Sequence, residues 1–434
     1  MWQNIKNALL DKNIRKRILL TLGMLALFRL GSYIPLPGID RVVFAGSVDH
    51  GGGQDLFSII SIMTGGAMQN AALFSLGIAP FINAFIIMQL LTLIIPALDR
   101  LNKQGDEGRR KVTQITRYVA IVLALVQAIG IILTWNNSNP AMFRETLGST
   151  VLTMVIMAVI MISGSVIVMW IGERITEYGI GNGTSLLIFV GILSTMGNGI
   201  VNAFRSIAGG NTEGVWFLIG YLIIILLLFT LIVFIDLSER RITVRYAKQV
   251  KGNKMYGGQT THIPIKVNST GVMPIIFASS FLMFPMLIGS FWPQSAFHIW
   301  WVTYMGAGTW AYSIIMFVLI IFFAFFYSQI QFNPADVARN IQQYGGFIPG
   351  IRPGKPTSDY LSRINNRITL FGALFLGFVA LIPALVFMAQ PFQVMGLTNA
   401  FTATGLLIVV SVAMELNKQL EGQLAMKNYK GFLK

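Results

Sequence analysis

The sequence predicts an all-α membrane protein with ten transmembrane helices in two inverted, pseudo-symmetric halves, an additional half-helix and a cytoplasmic β-hairpin. Three observations predict this fold class. Apolar residues make up 54% of the 434 residues and charged residues only 11%, whereas a soluble domain has about 25% charged residues. The apolar residues form long runs separated by polar segments, and basic residues are concentrated in alternate segments. One proline-containing motif occurs in two of the runs.

Ten apolar runs are long enough to cross a bilayer, which takes about 20 residues in a helix. The predicted spans are 17–36, 76–96, 114–134, 151–171, 184–203, 215–235, 271–291, 309–330, 368–388 and 398–416. A shorter apolar segment near 57–70 is broken by Gly65 and Gly66, and we predict a half-helix there. Non-helical backbone at membrane depth survives only where it is buried in protein or lines a cavity. This half-helix therefore indicates a pore or a substrate path.

The distribution of Lys and Arg orients the spans in the membrane. With a cytoplasmic N-terminus, 28 of the 32 basic residues fall in cytoplasmic segments, 3 fall on the opposite face and Arg29 lies within the first span. We therefore expect both termini in the cytoplasm. For Arg29, a side chain that snorkels to the outer surface is favoured over a functional charge inside the membrane.

Three cytoplasmic segments are candidates for contacts with partners. The basic segment 99–117 either sets the topology and contacts anionic lipids or binds another protein, and both readings remain open. The alternating residues of 242–247 and 262–267 favour a basic β-hairpin over a disordered loop. The Gly- and Pro-rich stretch 345–354 predicts a shaped loop with Arg352 at its tip.

A six-residue pattern occurs twice, at 77–82 where span two begins and at 271–276 where span seven begins. These spans occupy the second position in each group of five and cross the membrane in opposite directions. Proline-marked segments at equivalent positions are typical of an inverted repeat with a site at its interface. Spans two and seven are therefore the predicted sides of a central path.

The composition excludes several classes of chemistry. Cysteine is absent, and apart from Arg29 the interiors of the predicted spans contain no Asp, Glu, Lys, Arg or His. We therefore expect no catalytic residues, no metal site and no cofactor, and the protein is not expected to be an enzyme. The alternative is a secondary transporter with an inverted repeat, but that class requires a defined polar or ionisable site at mid-depth.

Eight separate motifs occur in order along the chain. They are FRLGSYIPLPG at 28–38, GIAP at 77–80, IIP at 94–96, GDEGRRK at 105–111, GIGNG at 179–183, THIPIKVN at 261–268, FNP at 332–334 and FIPGIRPG at 347–354. Each motif is weak alone, but together they are specific and cover essentially the whole length. In these motifs the chain resembles the SecY family, the pore subunit of the bacterial protein-conducting channel.

The resemblance implies a clam-shell of two halves with a hinge between spans five and six. The N-terminal half, 1–204, would contain spans 1–5 and a plug at about 57–70. The C-terminal half, 205–434, would contain spans 6–10 and the cytoplasmic loops 236–270 and 331–367. The half-helix would be the plug that closes the pore from outside, with plug residues Phe57, Ile59, Ile60, Ile62, Met63, Gly65 and Gly66.

The resemblance also implies a pore constriction and a lateral gate. The constriction would be a ring of six isoleucines, Ile78, Ile82, Ile188, Ile192, Ile276 and Ile408. The gate would lie between spans two/three and seven/eight, with a polar cluster of Asn83, Gln127 and Asn268. The implied function is that of a central channel subunit that passes unfolded secretory polypeptides across the membrane and releases transmembrane segments sideways into lipid.

Partners and location follow from the same resemblance. The ribosome and the SecA motor ATPase would dock on Arg240, Arg241, Arg245, Lys248, Lys251 and Arg352. SecE and SecG would complete the complex, and YidC and SecDF are further implied partners. Polypeptides that carry signal sequences would be the substrates, and anionic lipids would contact the basic segments. The expected location is the bacterial cell membrane, also called the inner or plasma membrane.

Overall fold

The computed structural model describes residues 11–40, 43–44, 61, 64–143, 149–208, 214–246, 248–251, 254–257, 260–292, 294–306, 309–387 and 403–431. Most of these residues are helical. In chain order the helices are α1 (Lys12–Gly31), α2 (Ala79–Ile94), α3 (Pro96–Lys103), α4 (Asp106–Ser138), α5 (Thr150–Tyr178), α6 (Gly183–Ala208), α7 (Gly214–Leu237), α8 (Met273–Ser290), α9 (Ala296–Met305), α10 (Trp310–Gln331), α11 (Pro334–Gln343), α12 (Lys355–Phe387) and α13 (Ala403–Gly431). A short 3-10 helix, Pro140–Met142, follows α4.

Six helical segments in the described part of the chain are long and apolar enough to cross a membrane: Asp106–Asn137, Thr150–Tyr178, Gly183–Asn202, Leu218–Leu237, Trp310–Gln343 and Lys355–Ile382. The segment Trp310–Gln343 contains both α10 and α11. A seventh span results if α2 and α3, which meet at an angle of 101°, are counted as one broken helix. Each of the ten predicted spans overlaps a described helix. The count of ten membrane crossings remains a prediction.

The break between α2 and α3 follows from Pro96. A proline disfavours the helical conformation of the residue before it, and Ile95 is accordingly extended, with φ −97° and ψ 109°. Pro96 itself begins α3, where its missing N–H removes no helical hydrogen bond. The predicted second span therefore ends at the residue where the chain turns.

The described chain forms two compact units. The first unit comprises Met1–Phe217, Ser280–Tyr312 and Phe387–Lys434, and the second comprises Leu218–Ser279 and Ser313–Val386. The predicted halves, 1–204 and 205–434, have different bounds because they follow the hinge between spans five and six that the resemblance implies, and they remain a prediction.

The first unit has a core of large apolar side chains and an apolar surface. Trp135 of α4 packs edge-on against Phe44, with ring centroids 5.0 Å apart, and Met157 of α5 lies in the same cluster. On the surface, Ile94 of α2 is 74% exposed and Trp216 of α7 is 77% exposed. Large exposed apolar surfaces mark contact with a membrane or a partner.

Helices α5 and α6 approach so closely that their contact requires glycine. A Cβ atom on Gly183 would lie 1.9 Å from the carbonyl oxygen of Gly172. On the other side of the contact, a Cβ on Gly172 would meet the flexible side chains of Leu187 at 3.3 Å and Ile78 at 3.4 Å. The first distance leaves no room for a methyl group, whereas the second can be relieved by small side-chain shifts.

We expect Gly183→Ala to lower the free energy of unfolding by about 2 kcal/mol or more, because overpacking costs about 1–3 kcal/mol and the clash is with backbone. Gly172→Ala is the matched control, since it adds the same methyl group and gains up to about 1 kcal/mol of helix propensity. Thermal unfolding in detergent measures both variants. Equal unfolding midpoints for the two would contradict the close approach.

The second unit contains a three-stranded antiparallel sheet. The strands are β1 (Glu239–Tyr246), β2 (Lys248–Lys251), β3 (Lys254–Gly257), β4 (Thr260–Lys266) and β5 (Gly346–Phe347). The sheet has the order β4–β1–β5, and β2 pairs with β3 separately. In the register of β1 with β4, Ile242 lies opposite Ile263. The protrusion of this sheet into the cytoplasm as a β-hairpin remains a prediction.

Alternation along β1 separates an apolar face from a basic one. Ile242 and Val244 are buried in a cluster with Ile341 of α11 and Leu361 of α12. Arg241 and Arg245, which flank this pair along the strand, are exposed, as successive side chains of a strand point to opposite faces. The helices α11 and α12 thus support one face of the sheet and leave its basic face open.

Candidate functional site

The site begins at the Gly65–Gly66 turn, within the segment 57–70 of the predicted half-helix. Gly65 and Gly66 both have left-handed backbone conformations, with φ of 67° and 84°, which glycine adopts without the steric cost that a Cβ brings. The N–H of Gly66 donates to the carbonyl oxygen of Ser61 at 2.8 Å. Ser61 is 1% exposed, so this end of the segment is buried. The predicted plug residues Phe57, Ile59, Ile60, Ile62 and Met63 lie outside the described residues.

The backbone of Gly65 lies directly on helix α6. A Cβ on Gly65 would be 2.9 Å from the Cα of Gly191 and 3.0 Å from Nη1 of Arg29. Gly191 is one residue before Ile192 and three residues after Ile188, and residues three apart share a face of a helix. The turn therefore contacts α6 at the level of two predicted ring residues.

Arg29, in the last turn of α1, contacts the same turn. Its Nη1 donates to the carbonyl oxygen of Gly65 at 2.5 Å, and its Nη2 donates to the hydroxyl of Tyr33 at 2.8 Å. The guanidinium carbon also lies 4.7 Å from the centroid of the Tyr33 ring. The side chain thus joins α1 to the Gly65 turn, a role that snorkelling alone does not predict.

The chain after Gly66 is held along the end of α1. The N–H of Leu36 donates to Ala71 O, and the N–H of Leu73 donates to Ile34 O, each at 2.8 Å. The ring of Phe74 occupies the space beside Gly31, where a Cβ would lie 2.0 Å from Cε2. These contacts fix the path of the chain into α2.

Helix α5 holds the start of α2 from the other side. Ser165 Oγ donates to the carbonyl oxygen of Gly77 at 3.1 Å. A Cβ on Gly164 would lie 2.2 Å from the carbonyl oxygen of Leu73, so this glycine lets the two backbones touch. Ile78, the N-cap residue of α2, is thereby placed with its Cδ1 beside Gly172.

All six predicted ring residues are buried, with no more than 9% of each exposed. Within the first unit, Ile78 and Ile82 lie at the start of α2, Ile188 and Ile192 lie on α6, and Ile408 lies on α13. Helices α6 and α13 pack against each other. Ile276 belongs to the second unit, in the first turn of α8. Five of the six thus share a unit, while closure of a ring by all six remains a prediction.

The predicted gate residues are buried amides. In the first unit, Asn83 lies on α2 and Gln127 on the neighbouring α4. In the second unit, Nδ2 of Asn268 donates to Oδ1 of Asp236 at 3.3 Å. The Oδ1 of Asn268 has no hydrogen-bond partner within the described ranges. Asp236 was not identified from the sequence because it lies at the end of an apolar helix, 32 residues earlier in the chain.

The predicted docking residues described here lie in the second unit. Arg240, Arg241 and Arg245 are exposed on β1, and Arg241 Nε forms an ion pair with Glu239 at 2.7 Å. Lys248 and Lys251 are the first and last residues of β2, and the side chains of β2 lie outside the described residues. Arg352 is exposed in the loop between β5 and α12. The structure therefore presents basic groups on a strand and a loop of one compact unit.

Sequence reasoning did not identify Tyr33 and Gly191 as parts of the site. Arg29 carried a signal, because it is the one charged residue within the interiors of the predicted spans. Gly191 has no such signal in the sequence, because a close approach of two backbones leaves no pattern of side chains.

Comparison with known proteins shows one family over most of the chain. The family model described as SecY matches residues 72–417. The curated protein translocase subunit SecY of Streptomyces coelicolor is 42% identical over 435 residues, which cover 97% of this chain and 97% of that protein.

Solved structures show a similar fold. A SecY structure, whose plug domain is described as stabilising the closed state of the translocation channel and maintaining a membrane seal, has a TM-score of 0.63 at 21% identity. The match covers 93% of this chain and 91% of the chain in that structure. Sec61 in the canine ribosome–channel complex from the endoplasmic reticulum has a TM-score of 0.60 at 19% identity, with the same coverage of 93% and 91%.

Proposed function

Because this chain belongs to the SecY family and is a protein translocase subunit, we propose that it forms the central channel through which unfolded secretory polypeptides cross the membrane. Membership of this family confirms the resemblance stated from the sequence motifs and the predicted role in protein transport. The family consists of multi-pass membrane channels and not of enzymes, as the sequence also predicts. The ring, the plug, the gate and the docking surfaces are proposals for this chain.

One contact carries the proposal of a closable channel. The Gly65 backbone lies against Gly191 of α6, between Ile188 and Ile192. A half-helix that ends on the helix carrying two proposed constriction residues is well placed to block the path beside them. The plug residues Phe57 to Gly66 and the six isoleucines would then form one closed barrier.

Aliphatic side chains suit the proposed constriction. Ile78, Ile82, Ile188, Ile192, Ile276 and Ile408 offer no ligand to an ion, and a hydrophobic constriction excludes ions by excluding water. Branched side chains can also change rotamer to fit around a passing polypeptide. The ring would therefore seal both the resting and the occupied channel.

The proposed lateral gate depends on few polar contacts. Asn83, Gln127 and Asn268 would hold the gate helices together in the resting channel, since amide hydrogen bonds between membrane helices contribute roughly 0.6–2 kcal/mol each. An apolar signal sequence would part the helices and face lipid on one side. Transmembrane segments would leave by the same route.

We propose that the basic groups of the second unit bind partners on the cytoplasmic side. Arg240, Arg241, Arg245, Lys248, Lys251 and Arg352 would contact the ribosome and the SecA motor ATPase. Support comes from the fold shared with Sec61, which occurs in a ribosome–channel complex. SecE, SecG, YidC and SecDF would be further partners, and anionic lipids would bind the segment 99–117.

The finer features of topology are also part of the proposal. The chain would lie in the bacterial cell membrane with ten crossings and both termini in the cytoplasm, and the halves 1–204 and 205–434 would form an inverted repeat. The asymmetry of the basic residues supports this orientation. A secondary transporter is not favoured, because the predicted spans offer no defined ionisable site at mid-depth.

Depletion of the protein from cells is expected to cause precursors that carry signal sequences to accumulate in the cytoplasm, because their export requires the channel. Pulse-labelling followed by immunoprecipitation measures the ratio of precursor to mature protein. Re-expression of the unaltered chain is the control and should restore processing. Normal export during depletion would contradict the proposed function.

A further inference from the structure

Arg29 has an unusual combination of position and contacts. It lies in the last turn of α1, within a predicted membrane span, and donates to a backbone carbonyl 36 residues further along the chain. A basic residue in this turn would ordinarily interact with the last carbonyl groups of its own helix. Here the guanidinium instead contacts Gly65 and Tyr33.

Among the described residues, the hydrogen-bond donor to the Gly65 carbonyl comes from outside its own segment. The left-handed conformation of Gly65, with φ 67°, ends helical hydrogen bonding at this residue. Gly65 and its neighbours from Thr64 to Gly66 are buried, and a buried carbonyl without a partner is costly. Arg29 supplies that partner with a charged donor, and such hydrogen bonds are about twice as strong as neutral ones.

Tyr33 prepares Arg29 for this role. Its hydroxyl accepts from Nη2 at 2.8 Å, and its ring lies beneath the guanidinium. These two contacts with Tyr33 restrict the rotamers of the Arg29 side chain. The planar fork of Arg can serve both partners at once, which the single ammonium of Lys does less well.

We propose that Arg29 is a positioning residue that holds the end of the plug in the closed channel. Its hydrogen bond to the Gly65 carbonyl keeps that glycine seated on Gly191 of α6, and the bond breaks when the plug leaves. This inference rests on the proposed function of the half-helix as a plug. It assigns to the intramembrane arginine a share of the free energy that keeps the channel closed.

A single introduced thiol can report the release of the turn. The chain has no cysteine, so Ser61→Cys gives this chain a single thiol, and its labelling is read on this chain after the subunits are separated. Ser61 is 1% exposed, and its hydroxyl has no hydrogen-bond partner in the described part of the chain, so the exchange removes no hydrogen bond. A membrane-impermeant maleimide should therefore react slowly with this thiol in the resting complex.

In the complex purified with its partner subunits, Arg29→Met is expected to raise the rate of Ser61→Cys labelling roughly tenfold, the effect of losing one charge-assisted hydrogen bond. Arg29→Lys should restore part of the protection, because it keeps a charged donor. The control thiol is Ala128→Cys on α4, where the native residue is also fully buried. Its labelling rate should stay unchanged, because the effect is local to the turn.

Two results would overturn the proposal. One is unchanged Ser61→Cys labelling in Arg29→Met. The other is an equal rise at Ala128→Cys, which would indicate general loosening. If Arg29→Met does not reach the membrane, Arg29→Gln removes the charge while keeping a polar side chain, and the same two thiols decide the outcome.

The glycine pair provides a second test of the seat of the turn. Gly65→Ala places a methyl group 2.9 Å from the Cα of Gly191 and 3.0 Å from Nη1 of Arg29, whereas Gly66→Ala meets nothing within 4 Å, although both residues have positive φ. We expect Gly65→Ala to raise Ser61→Cys labelling several-fold more than Gly66→Ala. Equal effects would show that backbone strain alone accounts for the change and would count against seating on α6.

Failure of this inference can be distinguished from failure of the proposed function. If the unaltered complex exports precursors while Arg29→Met labels like the unaltered protein, the channel stands and the role of Arg29 is wrong. If the unaltered complex exports no precursor, the proposed function itself fails.

Discussion

Liposomes that contain the channel with Ile82→Gly and Ile192→Gly are expected to pass ions at least about tenfold faster than liposomes with the unaltered channel, because the hydrophobic constriction would widen and admit water. Both residues are buried in the first unit, on α2 and α6. Removing their side chains would leave space within the proposed ring. A membrane-potential dye in potassium-loaded liposomes measures the flux.

The matched control is Ile131→Gly with Ile175→Gly. These isoleucines are also buried, 3% and 0% exposed, and lie within α4 and α5. The control loses the same side-chain volume and helix propensity, so its stability should fall comparably, by several kcal/mol per site. Equal leaks in both double variants would indicate that loosened packing admits ions and would remove the ring assignment.

Replacing Arg352 by glutamate is expected to reduce motor-driven export by about tenfold or more, since reversing a charge at a docking contact replaces attraction by repulsion. Stability should be unaffected because the side chain is exposed. The loop itself is held by its backbone, as Thr357 Oγ1 donates to the carbonyl oxygen of Arg352 at 2.8 Å. ATP-dependent translocation into inverted membrane vesicles measures the effect.

Arg339→Glu is the control for this prediction. Arg339 is exposed on α11 of the same unit and undergoes the same change of charge. If both variants lose export equally, the general basic charge of this unit matters and Arg352 has no special role. Normal export by Arg352→Glu, with the protein at its usual level in the membrane, would exclude Arg352 from the docking site.

Run length and hydropathy predict the helices well, but only where the helices are apolar. The predicted span 114–134 lies within α4, which extends over 33 residues, Asp106–Ser138. Its first turns are polar, so they leave no hydropathy signal, although Asp106 and Glu107 suit the positive end of the helix dipole. For the same reason, hydropathy does not predict the short polar helix α11, although Asn333 at its N-cap and Pro334 at its first position are typical of a helix start.

Residue type and family pattern predict candidates for the site, but they do not predict its distant contacts. The isoleucines and the amides are such candidates; the structure shows that they are buried, and their roles remain predictions. The partner of Arg29 did not follow, because the Gly65 carbonyl is a backbone group that no residue pattern marks. Asn268 likewise finds Asp236 through the tertiary fold.

The short helix α2 has a consequence for the surrounding lipid. Its 16 residues, Ala79–Ile94, end at the bend before Pro96, and at 1.5 Å per residue they span on the order of 24 Å. The hydrocarbon core of a bilayer is about 30 Å thick. Because Phe85 and Ile94 are exposed on its surface, lipid beside this helix should thin locally to match it. If the proposed lateral gate opens beside α2, a transmembrane segment leaving there would enter a bilayer that is thinner than elsewhere.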